Sequence, residues 1–312
     1  MAGLGRSGST IFHRILGALD GFLPAGEIMH LGRALCNNEF CSCGERVRDC
    51  EVWGKVGEQF EEEFAKDKYS LDFFQHKLRN KRYFFNVCSV FFPRRPRWLR
   101  EHLEGYKEQI LRVYQTLQAT TGCRFIVDSS KNAAYAKLLG EIPQVRLYVI
   151  HLIRDSRGVA FSFGKRKKRP GVPQRKEDDG YFDQFKPFTT ALLWCSANFL
   201  AERLQKKCVQ YMRVRYRDFV STPVDTIKNV LKTMDIYTGP EQLSHLTDHT
   251  AELKNTHILS GNTVRSQHGR IKISEDVEWK IKMRLSGKIL VTILTLPFLM
   301  RYGYFSRNGK TR

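Results

Sequence analysis

The sequence predicts an α/β fold: a P-loop-like, three-layer arrangement with a central, mostly parallel sheet flanked by helices. Three observations carry this. A glycine-spaced turn, "GLGRSGST" at residues 3–10, opens directly onto a helical pattern. Downstream, short buried-strand patterns alternate with amphipathic helices, as parallel strands joined by helical crossovers do. A length of 312 residues with 42% apolar content is enough to bury the core of one such domain, spanning 1–312.

In order along the chain, "GSTIFHRILGALD" (8–20) reads as a helix with Ile11, Ile15, Leu16 and Leu19 on one face. A loop carrying Glu27 and a Cys-rich loop (36–50) follow. Then comes a helical insertion over about 52–121, with helical patterns at 54–66, 70–81 and 97–120. "RFIVD" (124–128) is a strand, "KNAAYAKLLG" (131–140) a helix, "VRLYVIHLI" (145–153) a strand and "DSRGVAFSFGKR" (155–166) a helix. A polar, charged loop, expected to be mobile, covers 167–180; a helix follows at 188–207 and a strand at 209–216. The remainder is mostly helical, irregular over 254–273. A phosphate-binding glycine loop normally hangs from the end of a buried strand. Only Met1 and Ala2 precede this one, so the first strand is expected upstream of Met1.

Charge narrows the partners. Fifty-two Lys+Arg against 32 Asp+Glu give a net charge of +20, which suits a polyphosphorylated cofactor, an acidic polymer or an anionic membrane surface. Zinc-finger, homeodomain and RNP signatures are absent, so no nucleic-acid partner is implied. With the motif starting at residue 3 there is no room for a signal peptide, and the expected location is cytoplasmic. The longest apolar run, "ILVTILTLPFL" (289–299), is shorter than the ~20 residues a bilayer needs and is interrupted by Pro297. It is expected to be a buried C-terminal helix. The basic residues around it leave peripheral membrane association open.

The chemistry rests on two motifs. Backbone N–H groups of a glycine-rich turn, backed by a helix N-terminus, form an anion site. In nucleoside triphosphatases a lysine follows the second glycine and, with Mg²⁺, offsets a triphosphate. Here Ser9 holds that place and the cation, Arg6, sits inside the loop. A sulfuryl group carries less charge and needs neither metal nor lysine. "VDSSK" places Lys131 after Asp128, where a metal site would want acid. The second motif is "IRDSRGVAFSFGKR" (153–166). Arg154 stands at a strand end, where open α/β sheets bind ligands. Ser162 and Arg166 are four apart and are expected on one helical face. Together these three suit a phosphate monoester.

Taken together, these stretches resemble the PAPS-dependent sulfotransferases, in particular a bacterial, carbohydrate/tyrosylprotein sulfotransferase-like branch. "GRSGST" resembles the family's 5′-phosphosulfate loop and "RDSRGVAFS" its 3′-phosphate motif. "VRYRDFVSTP" (214–223), "SGNTVR" (260–265), "CSCGERVRDCEVW" (41–53), "VDSSK" and "RYGY" (301–304) add to the resemblance, which covers essentially the whole chain. Ser156 departs from it, since the family more often has proline there. The resemblance implies transfer of a sulfuryl group from 3′-phosphoadenosine 5′-phosphosulfate (PAPS) to an acceptor hydroxyl, without a metal. The acceptor would be a sugar, lipid, tyrosine or small metabolite. It assigns Arg6, Ser7, Gly8, Ser9 and Thr10 to the phosphosulfate, and Arg154, Ser162 and Arg166 to the 3′-phosphate. Tyr216, Asn262 and Arg265 go to the nucleotide, Glu27 to the general base, with His30 as the lesser alternative, and Lys131 to the transferred group.

Two rival readings come from other classes: a P-loop kinase or ATPase, and a non-catalytic binder of anionic polymers. Cys36, Cys41, Cys43 and Cys50 stay open between zinc ligation, disulfides and reduced thiols. Their spacing does not match the paired Cys-x₂-Cys of zinc ribbons. Phe91 and Phe92 in "YFFNVCSVFFPRRPRWLR" (83–100) are expected in the core. Arg94, Arg95, Arg97 and the "KRKKRP" run (165–170, apart from Arg166) are expected to be solvated.

Overall fold

The computed structural model describes residues 1–60, 90–91, 95–169, 180–237 and 239–305. The helical pattern at 70–81, Phe92 and Arg94 lie outside these, as do residues 61–66 of the 54–66 pattern and most of the 167–180 loop.

Helix α1 (Ser9–Leu16) starts from Gly8, whose φ of 83° only glycine adopts without strain. Strand β1 (Phe22–Gly26) follows where the sequence predicts a loop. Pro24 and Gly26 hide the strand pattern, yet Pro24 is tolerated because β1 is the outer member of its pair. Short helices α2 (Leu31–Cys36) and α3 (Trp53–Glu58) flank the Cys-rich loop. Helix α4 (Arg97–Thr121) matches its prediction closely: Leu99, Leu103, Tyr106, Ile110, Val113 and Leu117 form the buried stripe. It ends at Gly122 in a left-handed cap. Next come β2 (Phe125–Asp128), α5 (Ala133–Leu139), β3 (Tyr148–Ile153) and α6 (Ser156–Gly164). Asn132 and Asp155 cap α5 and α6 by accepting backbone N–H bonds. Helix α7 (Pro187–Arg203), strand β4 (Gln210–Arg215), and helices α8 (Tyr216–Ser221) and α9 (Pro223–Thr233) complete the alternation.

β1 pairs in parallel with β2, and β3 in parallel with β4. Ala2 bridges in parallel to both Lys131, just past β2, and His151 in β3. Its N–H donates to Ile150 O (2.8 Å) and its carbonyl accepts from Leu152 N–H (3.1 Å). The parallel row therefore runs β1-β2-Ala2-β3-β4, and the chain's second residue holds its centre. Alternation then sends neighbouring side chains to opposite faces. Leu23, Ala25 and Val149 join one core with α2 to α5. Val127, Ile150, Leu152 and Val214 join another with α1, α8 and α9. Apolar cores thus lie on both faces of these small parallel pairs, in a mixed α/β arrangement. A cavity of about 780 Å³ follows the whole of β2 and the first half of β3, lined by Phe22, Ile126, Tyr148 and Ile150 among others.

Four expectations about these segments need correction. Arg95, expected in solvent, is mostly buried and donates to Glu141 and to Val90 O. The 254–273 region is bounded by an antiparallel pair, β5 (Thr250–Leu253) with β6 (Gly269–Lys272). Helix α6 stops at Gly164 and Lys165 is extended, so Ser162 and Arg166 do not share a helix face. After the short α10 (Glu278–Lys282), the C-terminal α11 (Leu285–Arg301) buries only Val291, Thr295 and Leu299; Leu285, Ile293 and Met300 are exposed. No helix among the described residues is long and apolar enough to cross a membrane.

Candidate active site

Five of the candidate positions share one place in the fold, following the C-terminal end of a parallel strand or, for the glycine loop, the bridged Ala2. The glycine loop follows Ala2, Glu27 follows β1, Lys131 follows β2, Arg154 follows β3 and Tyr216 follows β4. Open parallel sheets bind ligands along that edge. The 780 Å³ cavity runs along all of β2 and the first half of β3, and Arg6, Glu27, Lys131, Arg154 and Tyr216 are not in its lining.

In the loop, Gly3 (φ 121°), Arg6 (φ 66°) and Gly8 (φ 83°) take positive-φ conformations, the kind of backbone from which anion-binding turns are built. Ser7 is buried and its hydroxyl donates to Leu4 O at 2.5 Å, so it shapes the loop. Ser9 and Thr10 begin α1, whose first amides have no side-chain cap. The Arg6 guanidinium lies over Phe182 (4.3 Å) and Phe163 (5.6 Å). Burial lowers its pKa and the nearby Glu27 carboxylate opposes that. A Cβ on Gly8 would stand 2.6 Å from the Tyr216 ring, so loop and ring are in contact.

Glu27 and Lys131 form the ionic centre. Lys131 Nζ donates to Glu27 Oε1 at 2.5 Å and to Ser129 O at 2.7 Å. Glu27 Oε2 faces His30 Nε2 at 3.2 Å. Burial alone would raise the Glu27 carboxyl, but Lys131 and His30 outweigh it and hold the group well below the usual carboxylate range. Backbone supports are equally specific: Glu27 N–H donates to Leu259 O (2.9 Å). Gly26 has φ 88°, and a Cβ there would strike Leu259 O. Lys131 is itself left-handed (φ 62°), as is Ser260 (φ 56°). Three of the five non-glycine positive-φ residues among those described thus lie around this centre, where strain commonly marks function.

Arg154 links the two motifs. It is buried; Nη1 donates to Arg6 O (3.0 Å), Nη2 to Asp276 Oδ2 (3.0 Å), and the guanidinium stacks on Tyr216 at 4.9 Å. Trp194 Nε1 holds the Arg154 carbonyl at 3.0 Å. Ser162 is buried on α6. Arg166, by contrast, is exposed and stacks on Tyr181 at 4.0 Å. Asn262 accepts from Thr263 N–H at the start of a short 3₁₀ turn. Arg265 is buried and donates to Ile258 O and Phe40 O, joining two loops. At the position where the family more often has proline, Ser156 bonds Thr295 of α11 (2.7 Å).

Sequence reasoning missed several residues here. Lys167, assigned to solvent, is half-buried; burial lowers its pKa, and the charges of Arg6, Lys165 and Arg154 add to that. Four cations thus gather at this edge, two of them paired, Arg154 with Asp276 and Lys165 with Glu278. Asp276 occupies Arg154, and nothing in its local pattern signals this. Arg14 of α1 donates to Val264 O (2.6 Å), Lys254 O (2.8 Å) and Gln267 O. Asp128 is engaged: Oδ1 accepts from Ser130 N–H (2.7 Å) and Oγ (2.5 Å), and Oδ2 from Tyr114 (2.9 Å). A magnesium-holding aspartate would need those oxygens.

Comparison with known proteins gives the class. A family described as the sulfotransferase family matches residues 1–239, and the chain belongs to it. The particular relatives are distant. No curated protein matches. Among solved structures, the chain is similar to the "Sulfotransferase Domain from the Curacin Biosynthetic Pathway", with 14% identity, a TM-score of 0.44, and 95% of this chain and 98% of that one covered.

Proposed function

We propose that this chain transfers a sulfuryl group from PAPS to an acceptor hydroxyl. The observation that carries the reading is Arg154, which donates to the Arg6 carbonyl of the glycine loop while lying under Tyr216. A buried cation fixed beside a phosphate-type loop suits a nucleotide with a second, separate phosphate. PAPS supplies the activated sulfuryl group and a leaving phosphate.

In this reading the loop amides, with Ser9 and Thr10, hold the phosphosulfate. Arg154 and Ser162 hold the 3′-phosphate, with Arg154 exchanging the Asp276 carboxylate for it. Glu27 takes the acceptor proton as the acceptor oxygen bonds to sulfur and the bond from sulfur to the bridging oxygen breaks. Lys131 and Arg6 offset the charge left on that oxygen. The ion pair has a further consequence. Held by Lys131, Glu27 is a weak base; as Lys131 turns to the bridging oxygen, burial raises the Glu27 pKa and strengthens it.

Calorimetry with 3′-phosphoadenosine 5′-phosphate against ADP, with and without Mg²⁺, tests this. The 3′-phosphate compound is expected to bind more tightly than ADP, by about tenfold or more, independently of Mg²⁺. Arg154→Ala should remove that preference while leaving ADP affinity largely unchanged. Equal affinities, or a magnesium requirement, would overturn the reading.

A further inference from the structure

Away from the ion pair, the Cys-rich loop meets the chain again far downstream. Cys41 and Cys50 are buried, Cys43 is half-buried, and none is in a disulfide. Their Sγ atoms and one ring nitrogen of His257 all lie within 4.8 Å of one another. Cys43 Sγ is 3.8 Å from Cys50 Sγ, and Cys50 Sγ is 3.3 Å from His257 Nδ1. In a tetrahedron with Zn–S of about 2.3 Å and Zn–N of about 2.0 Å, sulfurs stand about 3.8 Å apart and sulfur and nitrogen about 3.5 Å. A disulfide would need about 2.05 Å.

A second observation is independent of the sulfurs. His257 Nε2 faces Glu51 Oε1 at 3.0 Å. A carboxylate at one ring nitrogen fixes the tautomer and leaves Nδ1 with its lone pair directed to a metal, as metal-bound histidines generally are. A third is electrostatic. The surface cleft over the cluster is lined by Cys43, Glu45, Asp49, Glu51, Asn255 and His257. In a chain of net charge +20, three carboxylates at one mouth form a local entry for a cation.

We infer that Cys41, Cys43, Cys50 and His257 bind one zinc ion in a closed, four-ligand structural site. The spacing conceals it in sequence, because the fourth ligand lies 207 residues beyond Cys50. The ion fastens the Cys loop to the segment that supports Glu27. Trp53 Nε1 donates to His257 O (2.7 Å), and Ser42 bonds both Thr256 O and Ile258 N–H. One residue later, Leu259 holds the backbone of Ala25 and Glu27. Zinc at this point braces the base without touching the reacting atoms.

The test is elemental analysis of the full chain purified without chelator, followed by exchange with Co²⁺. One zinc per chain is expected. Cobalt should give the intense sulfur-to-metal absorption and visible bands of a tetrahedral thiolate site. Glu51→Gln keeps all four ligands and is expected to weaken zinc retention against a chelator by about 10- to 100-fold. Cys43→Ser should abolish the cobalt spectrum, whereas Cys36→Ser, altering an exposed cysteine outside the cluster, should leave it unchanged. A folded, metal-free chain that takes up no cobalt would overturn the site. So would an intact mass two hydrogens lighter, with Cys50 bonded to Cys41 or Cys43. Nucleotide binding is read separately, so loss of zinc and loss of the sulfotransferase reading are distinguishable.

Discussion

Replacing Lys131 with methionine keeps the side chain's bulk and deletes its charge. Glu27 then remains about one-sixth exposed, its side chain at 17%, with His30 as its surviving partner. Removing one member of a buried pair costs ~3–5 kcal/mol. Partial exposure of both side chains points to the lower end, about 3 kcal/mol. The sign with pH follows from linkage. In the wild type the Glu27 pKa lies below its ordinary value, so its contribution is complete above that value and lost only in strong acid. Without Lys131, burial is opposed by His30 alone, so the pKa of the group moves up and protonation relieves the variant. The stability gap should therefore narrow as pH falls from about 8 to about 5. Urea unfolding of the wild type, Lys131→Met, Glu27→Gln and the double variant measures it. A coupling below about 0.5 kcal/mol, or a gap that widens in acid, would refute the argument.

Two further outcomes follow from the same structure. Gly8→Ala forces a Cβ against Tyr216 at 2.6 Å and places alanine at φ 83°, so affinity for 3′-phosphoadenosine 5′-phosphate should fall by about tenfold or more in calorimetry; unchanged affinity would contradict the loop–ring contact. Burial depresses His13 to about 3 and His151 to about 4. Below their ordinary value the unfolded chain takes up protons that the folded one refuses, so stability should drop by about 2.5 kcal/mol per histidine by about pH 4.5. Unfolding curves for His151→Gln should show a shallower loss.

What sequence made legible was local. The glycine turn, the α4 stripe and the strand-helix alternation after residue 124 depend on neighbours a few positions apart, and all appear in the fold. Arg154 could be named because it ends a strand in a quotable motif, whereas Glu27 and Lys131 could be named only through the family resemblance. The missed features depend on distant partners. β1 was hidden by Pro24, which only its outer position makes acceptable. Asp276 gains meaning from Arg154, 122 residues earlier. The exposed face of α11 reads the same as a buried one by hydropathy alone.

Arg14 bears on where this protein can be divided. Its guanidinium, part of the phosphate-loop helix, is satisfied by the carbonyls of Lys254, Val264 and Gln267. The family match closes at residue 239, ahead of all three. A chain cut there would retain every residue of the first two motifs and still leave a guanidinium in α1 without those acceptors, a cost of ~1–3 kcal/mol or more for a charged donor. The limit of recognisable ancestry is thus not the limit of the cooperative folding unit. Truncation at that boundary would destabilise the first helix of the chain by removing part of its last third.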